Sequence, residues 1–232
     1  LLSVDYSQIE LRIVAHMAKD EAMLDAFRAG QDIHAATAAA VFNTPLDQVT
    51  KEQRRNAKAI NFGLIYGMGS FGLSRSTDFT LAEAENFIKA YFARFPGVKA
   101  YLDGIRQEAA QKGYVETLLG RRRYFPNLAG QKNFNLKQRE EREAINAPIQ
   151  GTAADIIKLA MLHIPGALAA NHLDARMLLQ VHDELLLECP QAQLDATVKL
   201  VQHEMENAYQ LSIPLETEAR VGQNWGNMQV IG

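Results

Sequence analysis

Leu1-Leu2-Ser3-Val4-Asp5-Tyr6-Ser7-Gln8-Ile9-Glu10-Leu11-Arg12 opens the chain, and its reading decides the fold. The apolar run is strand-like and ends on an acid. Ser7 and Glu10 have capping-box spacing, and Ile9, Ile13, Val14 and Met17 follow at helical intervals. The order is strand, acid, helix. Far down the chain His182-Asp183-Glu184 stands between Met177-Leu178-Leu179 and Leu185-Leu186-Leu187, which predicts a hairpin with acids at its tip. Two carboxylate sites at strand ends are what a fold needs to clamp divalent cations. Adjacent strand residues face opposite ways, so only one of Asp183 and Glu184 can point fully at a shared metal. Asp183 is the favoured ligand and Glu184 a weaker assistant. If Asp5 and Asp183 converge without metal, repulsion raises one of their pKa values.

Between the acids the signals are helical. Asp32 can cap a helix through the alanine-rich stretch to Phe42. Thr50 with Gln53 and Thr80 with Glu83 make capping boxes for helices reaching about Tyr66 and Arg94, and Val98 to Lys112 is closed by Gly113. A short hairpin turns at Leu119-Gly120. Asn135–Asn146 and Ile149–His163 read as two helices bent apart at Pro148. A helix over Gln191–Tyr209 and a strand over Leu215–Val221 complete the pattern. Trp225 reads as a core residue.

On the helix from Thr50, Arg54, Lys58, Phe62 and Tyr66 recur every four residues, a slowly drifting stripe roughly 18 Å long. Arg54 and Lys58 are like charges at i,i+4 near the positive end of the helix dipole, and an anion there would reverse both penalties. A triphosphate is the obvious candidate, with Phe62 and Tyr66 as flat surfaces for a base and Gly63 and Gly67 allowing close approach. The same spacing also fits a solvated basic face over a buried aromatic pair. Acid, basic helix and acid together point to phosphoryl transfer on nucleotides.

The bulk numbers allow this. The 232 residues are 47% hydrophobic and 22% charged, as in ordinary globular proteins, with net charge −3. Phosphates respond to charge within a Debye length of about 8–10 Å, so local clusters outweigh that sum. The single cysteine, Cys189, excludes an internal disulfide and fits a reducing compartment. No apolar run approaches the roughly 20 residues of a membrane span, so no membrane association is expected. The opening at Leu1 reads as that of a piece of something longer.

Taken together, these stretches resemble the family A DNA polymerases, the bacterial polymerase I type. Asp5–Arg12 looks like motif A, Arg54–Gly67 like motif B, Val181–Glu184 like motif C, and Asn146–Asp155 like a DNA-contacting palm segment. The resemblance implies an α+β fold: a right-hand palm with an antiparallel sheet (1–19 and 114–232), a helical fingers insertion (20–113), and no thumb. It implies template-directed DNA synthesis, two-metal transfer of a nucleotide to a primer 3′-hydroxyl with release of pyrophosphate. Asp5, Asp183 and the Tyr6 carbonyl would hold two Mg2+ ions. Arg54 and Lys58 would bind the dNTP triphosphate, with Lys58 also a proton donor, and His34 and the Gln8 backbone would contact the nucleotide. Glu10, held by Tyr66, would exclude a ribose 2′-hydroxyl. Phe62 would disfavour dideoxynucleotides. Arg142, Asn146 and Gln150 would read the minor groove of primer–template DNA, and His182 would lie beside the primer end. A monomer in the cytoplasm, associated with the nucleoid, is implied. The upstream parts would be missing, leaving a weak DNA grip and little sheet to support Asp5. The rival readings are a metal-dependent phosphohydrolase or nuclease, from the His182-Asp183 pair, and an inactive nucleic-acid-binding fragment.

Overall fold

The computed structural model describes residues 1–231, which form two compact units. One comprises Leu1–Glu10 with 152–231; the other is Leu11–Gly151. The hairpin β2 (Tyr114–Glu116) and β3 (Arg122–Tyr124) packs on α7 (Pro96–Lys112), which ties 114–151 to the helices before it.

The first unit is built on a five-stranded sheet in the order β4-β5-β1-β6-β7, every pair antiparallel. Its strands are β1 (Leu2–Tyr6), β4 (Arg176–Val181), β5 (Glu184–Glu188), β6 (Thr217–Val221) and β7 (Gln229–Ile231). The hairpin expected around residues 182–184 is β4–β5, and β7 was not foreseen. The strand that carries Asp5 does not lack support: β1 is central, paired on both sides. Residues directly opposite share a face. Leu2, Val4 and Tyr6 therefore lie with Leu185, Leu187 and Ala219, all buried. Helix α9 (Leu194–Glu206) covers that face with Val198, Val201 and Met205. The Tyr6 hydroxyl donates to the Met205 carbonyl at 2.6 Å, and burial raises its pKa. The other face carries Ser3, Asp5, Glu184, Glu218 and Arg220.

The second unit is helical: most of α1 (Ile9–Ala18), then α2 (Glu21–Arg28), α3 (Ile33–Val41), α4 (Lys51–Ile65), α5 (Ser70–Ser76), α6 (Leu81–Arg94) and α7. Of the three predicted capping boxes, those at Thr50–Gln53 and Thr80–Glu83 are formed. Asp20 does more than cap one helix. Its Oδ1 accepts from Met23 N in the first turn of α2, and its Oδ2 accepts from Gly97 N (2.8 Å) and Val98 N (3.3 Å) in the first turn of α7. One buried carboxylate thus serves two helix N-termini. Gly97 is needed there, because a Cβ would come within 3.0 Å of the Ala18 carbonyl and of Asp20.

Helix α8 (Phe134–Ala170) corrects the expected break: it runs 37 residues with Pro148 and Pro165 inside it. Each proline removes a backbone donor, at about 3 kcal/mol. Burial of Ala144, Ile145, Pro148 and Ile149 in one stretch, and of Ile156, Ile157, Ala160 and Ile164 in the next, outweighs that. By length and composition α8 is also long and apolar enough to cross a membrane, contrary to the reading of the sequence. Its buried residues here follow a one-sided helical stripe, and Asp155 and Lys158 interrupt its apolar stretch.

Candidate active site

The acid cluster lies wholly in the sheet unit. Cα register sets Asp5 opposite Glu184 on one side and Glu218 on the other, so three carboxylates share a face. Asp183 joins through the backbone, its carbonyl accepting from Tyr6 N at 3.2 Å. Arg220, bound to Glu218, is the nearby cation. Two non-glycine residues in the left-handed region flank the acids, Gln8 (φ 58°) and His182 (φ 53°). Such conformations cost about 1 kcal/mol or more and cluster at functional sites.

The electrostatics are unfavourable as the cluster stands. Burial, then Asp183, then Glu184, push the Asp5 pKa up to about 6. Burial also raises that of Asp183. Asp5 Oδ1 is buried with no hydrogen-bond partner among the described residues. A hard cation satisfies an orphaned carboxylate oxygen and cancels the repulsion. Among the described residues, no group of three or more His, Cys, Asp or Glu stands ready to hold a metal. Mg2+ binds through one or two carboxylates and takes its other oxygens from water, carbonyls and phosphates.

Glu184 is fixed by donors the sequence reading missed. Ser3 Oγ donates to its Oε1 at 2.6 Å and Trp225 Nε1 to the same oxygen at 2.8 Å. Trp225 is thus not a core residue: it is 43% exposed, and the site rather than the core takes its N–H. The signal available for Ser3 was the strand period, which puts it on the same face as Asp5. His182 is exposed in the turn, and its carbonyl accepts from the Gln180 side chain.

The basic stripe lies wholly in the helical unit. Arg54 and Lys58 are exposed on α4, but Arg54 is already engaged: its Nε donates to Asp32 Oδ2 at 2.6 Å. Asp32 also caps α3, accepting from His34 N and Ala35 N. These backbone bonds and Arg54 hold its carboxyl below the usual range, despite partial burial. Phe62 lies 5.7 Å from the His34 ring and 6.4 Å from that of Tyr66, which ends α4. His34 itself is buried, its Nδ1 bonded to Asn61 Nδ2 at 3.0 Å, while Asn61 Oδ1 accepts from Thr37. This contact places the His34 ring edge against a side-chain amide. Burial drives the His34 pKa down to about 4. Gly67 (φ 73°) allows a close approach to α8, where a Cβ would meet Ile145 at 3.1 Å and Arg142 at 3.2 Å.

Arg142, Asn146 and Gln150 recur at i, i+4 and i+8 of α8, and the Asn146 Oδ1 is buried without a partner among the described residues. Gln150 lines a cleft of ≈ 270 Å³ with Thr117 and Arg121–Arg123. Gly151 fits beneath because a Cβ would strike Thr117 at 2.6 Å. Arg122 and Arg123 are exposed and paired with Glu116 and Glu143.

A sequence profile for DNA polymerase family A matches residues 1–227. The chain belongs to DNA polymerase family A. DNA polymerase I of Pseudomonas aeruginosa is 53% identical over 97% of this chain, and that of Geobacillus stearothermophilus 50% over 97%. The matches cover 24% and 26% of those proteins, so the chain spans about a quarter of their length. Among solved structures, the POL domain of Pol1 from M. smegmatis, in complex with DNA primer-template and dNTP, superposes with a TM-score of 0.91. It is 44% identical, and the match covers 97% of this chain and 39% of that one. The α+β architecture of a family A polymerase domain, antiparallel sheet plus helices, is thereby shown.

Proposed function

We propose that this chain carries the nucleotidyl-transfer centre of a DNA polymerase, adding dNTPs to a primer 3′-hydroxyl under the direction of a template. The observation that supports it most is the orphaned Asp5 Oδ1 in a repelling carboxylate cluster, a site whose electrostatics call for cations. Asp5, Asp183 and the Tyr6 carbonyl are the residues proposed to hold two Mg2+ ions. When bound, such a pair activates the attacking hydroxyl and stabilises the leaving oxygen.

The remaining roles belong to the chain's own side chains. Arg54 and Lys58 neutralise and orient the triphosphate, with Lys58 a proton donor to pyrophosphate. His34 lies against Phe62 and contacts the nucleotide as a neutral ring. Phe62 and Tyr66 offer aromatic faces, the Gln8 backbone a further contact, and Glu10 the gate against a 2′-hydroxyl. Arg142, Asn146 and Gln150 track the minor groove and His182 the primer end. The M. smegmatis relative is described with DNA primer-template and dNTP, which supports the same partners here. Residues 1–19 and 114–232 are proposed as palm and 20–113 as fingers, in a monomer working in the bacterial cytoplasm at the nucleoid.

The test is incubation with primed template, dNTPs and Mg2+, comparing the chain with Asp183→Ala. Extension that the variant loses by about a thousandfold or more supports the proposal, since metal-mediated charge stabilisation is worth several kcal/mol. Strand shortening would favour a nuclease, and DNA binding without turnover in either protein a binding fragment.

A further inference from the structure

We propose that Trp225 and Ser3 are positioning residues for the acid cluster, forming a two-donor clamp that fixes Glu184 beside Asp5 and Asp183. The inference rests on the metal-binding role proposed above for that cluster. Glutamate on a strand swings about three side-chain torsions and does not hold one orientation unaided. Here the Ser3 hydroxyl reaches Oε1 from two residues before Asp5, at 2.6 Å, and the Trp225 indole reaches the same oxygen from the loop after β6, at 2.8 Å. Both are charge-assisted bonds, the strong class. Because both converge on Oε1, Oε2 is left for what the cluster binds. Glu184 faces Asp5 directly across the β1–β5 pair, so fixing one carboxylate sets the field felt by the other.

The loop bearing Trp225 is shaped for this. Asn227 N bonds to the Asn224 carbonyl at 3.3 Å, closing a turn with Trp225 and Gly226 at its centre. The turn folds back on Gly222, where a Cβ would stand 2.5 Å from the Asn227 carbonyl oxygen and 3.1 Å from that of Asn224. Gly222 N in turn bonds to the Leu1 carbonyl at 3.1 Å, tying the loop to the strand that carries Ser3 and Asp5. A 43%-exposed tryptophan on a loop would otherwise turn freely; this one has a fixed base and a bonded tip.

Trp225 is the chain's single tryptophan, which supplies a readout independent of catalysis. Mn2+ is titrated against the emission of Trp225 in the wild type, Ser3→Ala, Glu184→Gln and the double variant. Free Mn2+ is counted by electron paramagnetic resonance where Trp225 itself is changed to Phe. The expected result is Mn2+ binding about tenfold weaker in Ser3→Ala and in Trp225→Phe, the usual cost of losing an outer support of a metal ligand. In the Glu184→Gln background, Ser3→Ala should add less than about twofold, since the two act through one group. Gly222→Ala, which changes neither Ser3 nor Trp225, should weaken binding as Trp225→Phe does. In primer extension the clamp variants should lose kcat while KM for dNTP stays within about twofold. Wild-type emission that ignores Mn2+ would overturn the metal reading and this proposal with it. Wild-type binding that Ser3→Ala and Trp225→Phe leave unchanged would overturn the clamp alone.

Discussion

The sheet unit and the helical unit treat their titratable groups in opposite ways. In the helical unit Asp20 accepts three backbone N–H bonds, Asp32 accepts two and an arginine, and His34 is kept neutral by burial. In the sheet unit Asp5 has an oxygen with no partner and two like charges beside it. The first arrangement is complete without a ligand; the second is completed by one. Carboxylates alone therefore say little, and what distinguishes a structural acid from a site acid is whether the fold satisfies it.

Exchanging an acid of each kind for its neutral or truncated form breaks the comparison most sharply. Asp5→Asn should cost about a thousandfold or more in primer extension, if the cluster holds metal. The same change should raise the melting temperature of the metal-free protein by a few degrees at pH 8. The sign follows from the raised pKa. Ionised Asp5 destabilises the fold fully above about pH 6, and the penalty fades as pH falls toward 3.8, so the gain should vanish near pH 4. Asp20→Ala should do the reverse, destabilising by about 2–4 kcal/mol in urea unfolding because Gly97 N and Val98 N lose their acceptor and Met23 N keeps only the Asp20 carbonyl. A stable Asp20→Ala protein would mean that water replaces the carboxylate at both helix ends.

Acid should set the two units against each other. His34 titrates near 6.5 when unfolded and near 4 when folded, so its stabilising contribution is present above 6.5 and lost as pH falls through about 4. With the ring buried, that contribution is about 3 kcal/mol. Asp5 changes in the opposite sense over the same range. Protection of α3 and α4 amides from exchange should therefore fall on acidification while that of β1 falls less, and His34→Gln should flatten the difference. Equal loss in both units would remove the contrast.

The strands other than β7, two capping boxes and the acidic stretches were legible because each leaves a local signature. Examples are the apolar run ending at Asp5, Thr50 three before Gln53, and an apolar hairpin around His182-Asp183-Glu184. What was not legible depended on distance in the chain. Ser3 and Trp225 meet at Glu184 across 181 and 41 residues, and Asp20 meets Gly97 across 77. No periodicity predicts such partners. Pro148 misled for a related reason: its cost is local and visible, whereas the buried side chains that outweigh it are read only from the packed fold.

The smallest expected effect tests whether the basic stripe is as self-contained as its pairing suggests. Arg54 can serve a triphosphate only by sharing or leaving Asp32. Asp32→Asn keeps an acceptor for His34 N and Ala35 N, so α3 stays capped, but it removes the charge that holds Arg54. Both partners are substantially exposed, so the pair is worth at most about 1 kcal/mol. Releasing it should lower KM for dNTP by no more than about fivefold and leave kcat unchanged. The gain should shrink in 0.5 M salt, where exposed charges are screened. A rise in KM would mean instead that Asp32 orients Arg54 for the phosphates, and the quieter of the two regions would then be as ligand-directed as the acid cluster.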